Sequence, residues 1–329
     1  MAYLIEEGTK KALYLYAHHS FGRFIYSVDT LISNPAISKI HMTIEWQNNK
    51  WLLRDLSRNG TWVNDTRLDK KKTRILKLGD CITLSPDKSN NYIVQDLSAP
   101  CDLLIPDNDD GVTDAIELKP YHLLPCEEVP EIAMIFNKNE NCWSIEYINK
   151  DDSSSFRLNE HENVEFNGQK WKLKLSHLEN DTEAHNTEEF SIDDLELIFD
   201  ISLDEETTCL KLTSPKGLID FKTYIHHYLT LHLARCKAKD IKTNINHDML
   251  GWINTETLCK DLGLDIYHLN IQIHRIRKQF SELLSDLLIS DNIIERRKKH
   301  VRFTGSAFEI YKGKQLESAI NNNQLTCHN

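Results

Sequence analysis

Asp55-Leu56-Ser57-Arg58-Asn59-Gly60-Thr61-Trp62-Val63-Asn64 places a tight Asn-Gly turn between two apolar pieces. Gly60 suits a tight turn that needs a positive φ, although Asn-Gly alone is the commonest hairpin turn anywhere. Working outward, Trp51-Leu52-Leu53 precedes the turn, with Ile40–Trp46 and Leu13-Tyr14-Leu15-Tyr16 before that. Ile75-Leu76, Ile82-Thr83-Leu84 and Tyr92-Ile93-Val94 follow it. These pieces are β-branched, aromatic or alternating, and Asn, Gly, Asp and Ser punctuate them at the spacing of an antiparallel sandwich. No segment of helical period interrupts residues 1–98, so an all-β sandwich is expected there.

The 329 residues suffice for two or three domains, with 40% hydrophobic and 27% charged residues, an ordinary globular composition. No run of about 18 apolar residues occurs, and the N-terminus MAYLIEEGTK does not suit a signal peptide. Eight cysteines lie far apart with no C-x-x-C pair, as expected of reduced thiols in a cytoplasmic protein. The net charge of −11 is segregated: residues 1–98 carry +4, 99–210 carry −21 and 211–329 carry +6. Anionic partners are therefore to be sought at the two ends.

Pro100, Pro106, Pro120 and Pro125 mark a linker across 99–125. A β-rich stretch from Ile132 to Leu175 follows, with a turn at Asn167-Gly168, and no function is assigned to it. Residues 177–194 are polar and acidic and read as a flexible connection. No internal repeat is evident. The expected division is 1–98, an acidic and β-rich middle at 99–190, and a C-terminal domain at 191–329.

In that last third, strands at Leu195–Ile201 and Thr208–Leu212 precede a helix-period stretch from Leu218 to about Lys237. A helix from Asn254 to Leu262, capped by Asn254 or Thr255, stops at Gly263. Another runs from Asp265 to about Leu287, where Ile266, Leu269, Ile273, Ile276, Phe280, Leu283 and Leu287 form one stripe. Ile293–Glu295 and Val301–Phe303 flank the basic turn Arg296-Arg297-Lys298-Lys299. Strand pair, three helices and basic hairpin is the order of an α+β winged helix.

The first domain resembles the forkhead-associated (FHA) family, whose signature appears as Gly22-Arg23, Ser38-Lys39-Ile40-His41, Asp55–Asn64 and Leu78-Gly79-Asp80-Cys81-Ile82. The resemblance implies a sandwich that binds phosphothreonine peptides. A phosphothreonine carries about −1.5 to −2 charge and three strong acceptor oxygens. Arg23 offers a planar fork of donors and Ser38 a hydroxyl, and the resemblance places both on the phosphate. Lys39 and Arg58 stand on the same loops to add charge, and Asn59 grips the peptide main chain. Gly22, His41, Gly60 and Asn64 are structural support for those loops.

Residues 195–313 resemble the DNA-binding domain of OmpR-type response regulators, most closely along Leu269–Phe280. Gln279 departs from that family's Lys, and the usual G-x-G-Y before the last strand is absent. The resemblance implies a recognition helix whose solvent face includes His268, Gln272 and Arg275, with His274 and Lys278 at its edges. Gln and Arg are suited to base edges in the major groove. Arg296, Arg297, Lys298 and Lys299 on the wing would contact phosphates or reach the minor groove, positioning the protein without reading sequence. The other reading is that Arg275, Arg277 and Lys278 form a solvated basic face and the module docks on another protein.

The sequence thus points to a phosphothreonine-dependent transcription regulator of bacterial type. The alternative is a phosphothreonine-dependent signalling scaffold whose winged helix binds protein. The expected partners are a phosphothreonine-containing protein, an upstream Ser/Thr kinase and double-stranded DNA, with no membrane; a homodimer is left open. The −21 middle, through residues 177–194, is a candidate to cover the C-terminal domain. No phosphate loop, G-x-S-x-G elbow or supported Cys-His pair occurs, so no enzyme activity, cofactor or metal is expected. His226, His227 and His232 lack the i, i+4 spacing of a metal site.

Overall fold

A computed structural model describes residues 1–87, 89–107, 115–149, 155–177, 194–214, 217–243, 245–284 and 293–321. Its compact units do not follow the three expected segments. One comprises Met1–Leu118 with Asn159–Glu183, the other Lys119–Leu158 with Ala184–Asn329.

The first unit opens with a sandwich. One sheet has the order β2 (Ala12–Tyr14), β1 (Tyr3–Glu6), β11 (Asn91–Asp96), β10 (Cys81–Thr83), β7 (Trp62–Val63) and β8 (Thr66–Arg67). The other has the order β4 (Thr30–Leu31), β3 (His18–Gly22), β5 (Met42–Gln47), β6 (Lys50–Asp55) and β9 (Arg74–Ile75). Alternation sets which side chains face inward: Trp51 and Leu53 of β6 are buried, as are Tyr92 and Val94 of β11. They pack with Leu4, Phe21, Ile44 and Ile82 into one core. The β5–β6 turn holds Asn48 and Asn49 at φ 50° and 58°, the pair of positive φ values that a two-residue hairpin needs.

The described residues of the Pro-rich stretch at 99–125, expected as a linker, form strands instead, while 108–114 lie outside the described residues. The stretch contains β12 (Leu103–Pro106), β13 (Ile116–Glu117) and β14 (Tyr121–Leu124), with Pro106 and Pro125 at strand ends. Proline is tolerated there because it removes only a terminal ladder bond. In the first unit, β12 and β13 join β18 (Asn163–Phe166) and β19 (Gln169–Lys174) in the order β13-β12-β19-β18. The expected turn at Asn167-Gly168 closes the β18–β19 hairpin. In the second unit, β14, β15 (Ile132–Asn137), β16 (Cys142–Tyr147) and β17 (Phe156–Leu158) form a sheet in that order. These two sheets repeat the strand orders β2-β1-β11-β10 and β3-β5-β6-β9 of the N-terminal sandwich. No repeat is evident in the sequence.

The second unit continues with a five-stranded sheet in the order β22 (Gly217–Thr223), β21 (Thr208–Ser214), β20 (Glu196–Ile201), β26 (Ala307–Lys312) and β27 (Gln315–Ile320). The stretch from Leu218, expected to begin a helix, lies in β22. This strand pairs Leu218 and Ile219 with Thr213 and Leu212 of β21. Gly217 at φ 125° starts that strand in a conformation only glycine adopts readily. Among the described residues three α-helices follow: α1 (His226–Lys242), α2 (Thr255–Leu262) and α3 (Ile266–Leu283). Asn254 caps α2 by accepting from the Glu256 N–H, Gly263 ends it at φ 65°, and Asp265 caps α3 through the His268 N–H. β23 (Ile253–Asn254), β25 (His300–Phe303) and β24 (Ile294–Arg297) make a three-stranded sheet in that order. The core gathers Phe199, Leu212, Phe221, Leu233, Leu258, Ile273, Ile276, Phe303 and Phe308. Among the described residues no helix is long and apolar enough to cross a membrane.

Several histidines are buried and neutral. Burial pushes His19 down to about 3 and His226 to about 4, and lowers His41, His227 and His274. Unfolded, each would titrate near its reference value of about 6.5. Below that pH the unfolded chain binds more protons, so stability is complete above it and is lost as pH falls towards the folded values. The urea midpoints of both units are expected to drop between pH 7 and pH 5, each fully depressed histidine removing roughly 2 kcal/mol over that interval. Midpoints that hold or rise would contradict neutral burial.

Candidate functional site

Three loops of the N-terminal sandwich are tied together at one end. Arg23, just after β3, donates its backbone N–H to the Ser38 carbonyl at 3.1 Å. The Arg58 N–H, on the β6–β7 loop, donates to Ser38 Oγ at 2.9 Å. Asn59 Nδ2 donates to the Ala36 carbonyl at 2.7 Å. The Ser38 hydroxyl therefore accepts from backbone, and its own hydrogen is left to donate outward. The Arg23 side chain is exposed and, among the described residues, has no hydrogen bond or ion pair. Lys39 lies over the Phe24 ring at 5.4 Å, and the Arg58 side chain is exposed.

The support beneath is buried. His41 is 0% exposed; its Nδ1 accepts from the Ser38 N–H at 3.1 Å, so the proton sits on Nε2 and is donated to the Gly60 carbonyl at 3.1 Å. Burial lowers the His41 pKa and keeps this tautomer uncharged. Asp55 Oδ1 accepts from the Ser57 N–H and from Thr61 Oγ1, each at 2.9 Å, and Ser57 Oγ accepts from the Gly60 N–H. Gly22 has no room for a side chain: a Cβ there would lie 2.1 Å from the Lys39 carbonyl oxygen. Gly60 has φ 111°, and a Cβ would meet Arg67 Nε at 2.5 Å. Asn64 donates to Asp80 Oδ1 and accepts from the Cys81 N–H, which fixes the far side of the β7–β8 turn. The arrangement presents a free guanidinium and an undirected hydroxyl on a rigid base, a geometry that receives an anion.

Two features here escape sequence reasoning. Arg67 donates to the Asn59 carbonyl at 2.9 Å and lies over the Trp62 ring, a role set by the β7–β8 hairpin rather than by any motif. Phe24, Ile25 and Tyr26, beside Arg23, are 40%, 62% and 87% exposed. An apolar run exposed beside a charged site is the signal that would have marked a contact surface for the residues flanking an anion.

The C-terminal candidates are not brought to one free surface. His268 is exposed and bonds Asp265 through Nδ1 at 2.8 Å. Gln272 turns towards a pocket of about 430 Å³ that Thr208, Tyr224 and Leu229 also line. Arg275 donates to the Glu127 carbonyl at 2.9 Å. Lys278, expected at a solvent edge, is buried against Glu127, and that bond holds the Glu127 carboxyl below its usual range. Arg296 donates to Asn270 Oδ1 at 2.7 Å and is half-buried. Arg297, Lys298 and Lys299 are exposed on the β24–β25 hairpin. His226 and His227 both bond Gln279 Oε1, at 2.9 and 2.8 Å, while Gln279 Nε2 donates to the Phe221 carbonyl. A Lys at 279 would offer no acceptor to those imidazoles. Residues 178–193, and with them most of the proposed acidic cover, lie outside the described residues.

Comparison with known proteins places an FHA domain at residues 19–85. Over 66 residues the chain is 41% identical to the ovarian-specific serine/threonine-protein kinase Lok of Drosophila melanogaster, covering 19% of this chain and 14% of the kinase. It is 31% identical over 100 residues to germ layers disorganized gldi-3 of Caenorhabditis elegans, covering 27% of this chain and 10% of that protein. The chain thus spans a small fraction of the curated relatives it matches. Among solved structures, the N-terminal FHA domain of S. cerevisiae Rad53p in complex with a phosphothreonine peptide is 24% identical, covering 28% of this chain and 90% of that one, with a TM-score of 0.26.

Proposed function

We propose, from the FHA domain at residues 19–85, that this chain reads phosphothreonine in a partner protein and acts as a phosphorylation-dependent transcription regulator. One observation carries the first half: the exposed Arg23 guanidinium and the undonated hydrogen of the Ser38 hydroxyl, whose oxygen accepts from the Arg58 N–H, stand on three loops that His41 and Asp55 lock from beneath. A phosphate would gain charge-assisted bonds there with little ordering cost. Asn59, with its second N–H and its Oδ1 available, would hold the peptide main chain. Phe24, Ile25 and Tyr26 would meet apolar residues flanking the phosphothreonine. A Ser/Thr kinase creates the ligand, and no catalytic step is assigned to this chain.

The second half takes the three helices and basic hairpin as an OmpR-type winged helix on DNA, supported by the exposed Arg297, Lys298 and Lys299. The scaffold reading, in which this module binds protein, is favoured by a different observation: Arg275 and Lys278 already bond Glu127 of the same unit. The phosphate reading is tested by passing phosphothreonine, phosphoserine and unmodified versions of one peptide library over the full chain. Retention of phosphothreonine members, with at least about tenfold weaker capture of unmodified ones, is expected. Equal capture of all three would end the proposal.

A further inference from the structure

α3 has two buried faces. Leu269, Ile273, Ile276 and Phe280 belong to the core beneath the helices. The adjoining face, Asn270, Ile271, His274, Arg277 and Lys278, is buried as well, against the β14–β17 sheet. Ile271 packs with Tyr121, Leu123, Ala133 and Ile148. The strand register puts Leu123, Ala133 and Glu146 side by side on one face of that sheet.

The polar contacts of this face are those of an interior. Tyr121 Oη bonds His274 Nδ1 at 2.7 Å, and burial lowers the His274 pKa, so the ring stays neutral. Asn270 Nδ2 donates to the Ile148 carbonyl at 2.6 Å, and Arg277 Nη1 to Glu146 at 3.1 Å. Parting helix from sheet would strand a buried ion pair and expose five apolar side chains, a change that phosphate contacts on α3 would not offset. The hairpin presents the opposite case. Arg297, Lys298 and Lys299 are exposed, with Lys299 facing the exposed Glu256 at 3.7 Å. Behind them, Arg297 and Arg302 lie over the Trp252 ring at 4.1 and 4.7 Å, which holds the hairpin base, while Glu295 pairs with Arg302.

We infer that α3 is a closed docking helix for the β14–β17 sheet, and that double-stranded DNA is held by the β24–β25 hairpin through its phosphates, without base readout by α3. This rests on the DNA reading above. The test uses the full chain with two DNA duplexes of unrelated sequence across a salt series. Both duplexes should bind within about threefold of each other, since phosphate contacts carry no sequence information. Lys298→Gln with Lys299→Gln should weaken binding at least about tenfold at low salt and reduce the log–log salt slope by about 2. Arg275→Gln should change affinity less than about twofold. All these positions have exposed or half-exposed side chains, so the fold survives the substitutions. If Arg275→Gln weakens binding as much as the hairpin pair, or abolishes a preference for one duplex, α3 opens and the inference is overturned while DNA binding stands. If no duplex binds at low salt, the hairpin surface and the DNA reading fall together, and the phosphopeptide reading is untouched.

Discussion

Arg23→Ala is expected to weaken phosphothreonine-peptide binding by about a hundredfold or more, the loss of roughly 3 kcal/mol carried by charge-assisted bonds to phosphate. The fold should be unaffected, because the Arg23 side chain is exposed and its structural bond to Ser38 is made by the backbone N–H. Arg23→Lys keeps the charge but loses the planar fork, so it should recover only part of the affinity. Ser38→Ala removes a hydroxyl that also accepts from the Arg58 N–H, so it should weaken binding and loosen the β6–β7 loop together. Calorimetric titration of each variant with one phosphopeptide separates these cases. Unchanged affinity in Arg23→Ala would remove the phosphate from this site.

Arg277→Ala is expected to destabilise the second unit by about 3–5 kcal/mol, as breaking one partner from a buried ion pair does. The side chain is 6% exposed, and its Nε and Nη2 both donate to the Ile294 carbonyl while Nη1 holds Glu146. Truncation strands a part-buried carboxylate and a buried carbonyl and leaves a cavity as well. Arg277→Met with Glu146→Leu should recover much of the loss, since it replaces both charges by apolar groups of similar volume. Urea denaturation followed by tryptophan fluorescence reads both variants. A loss below about 1 kcal/mol would show a solvated surface arginine instead.

That arginine marks where sequence reading ended. The helix termini were legible because the code is local: Asn254, Gly263 and Asp265 stand where caps are needed. The loop constellation was legible for the same reason, four short motifs in order around one turn. The buried stripe of α3 also followed from its period. Its second buried face did not, because Arg277 and Lys278 read as solvated until Glu146 and Glu127 arrive from more than 130 residues earlier in the chain. Tyr121, which seals that face, lay in a segment whose prolines suggested a linker. Gln279 was visible as an anomaly, but its bonds to two imidazoles from α1 are tertiary contacts. β22 was misread as helix because strand pairing with β21 overrides the local spacing of its apolar residues.

The claim that the β3–β4, β4–β5 and β6–β7 loops receive the phosphate is tested most directly by nuclear magnetic resonance of the full chain. One phosphothreonine peptide and its unphosphorylated twin would be added in turn. The Arg58 N–H bonds the very hydroxyl assigned to the phosphate, and the Asn59 amide stands beside it. Both resonances should shift with the phosphopeptide and stay in place with its twin, and the Asn270 side-chain amide, bonded to Ile148 under α3, should not move with either. Shifts that spare Arg58 and Asn59, or that appear equally with both peptides, would contradict the account.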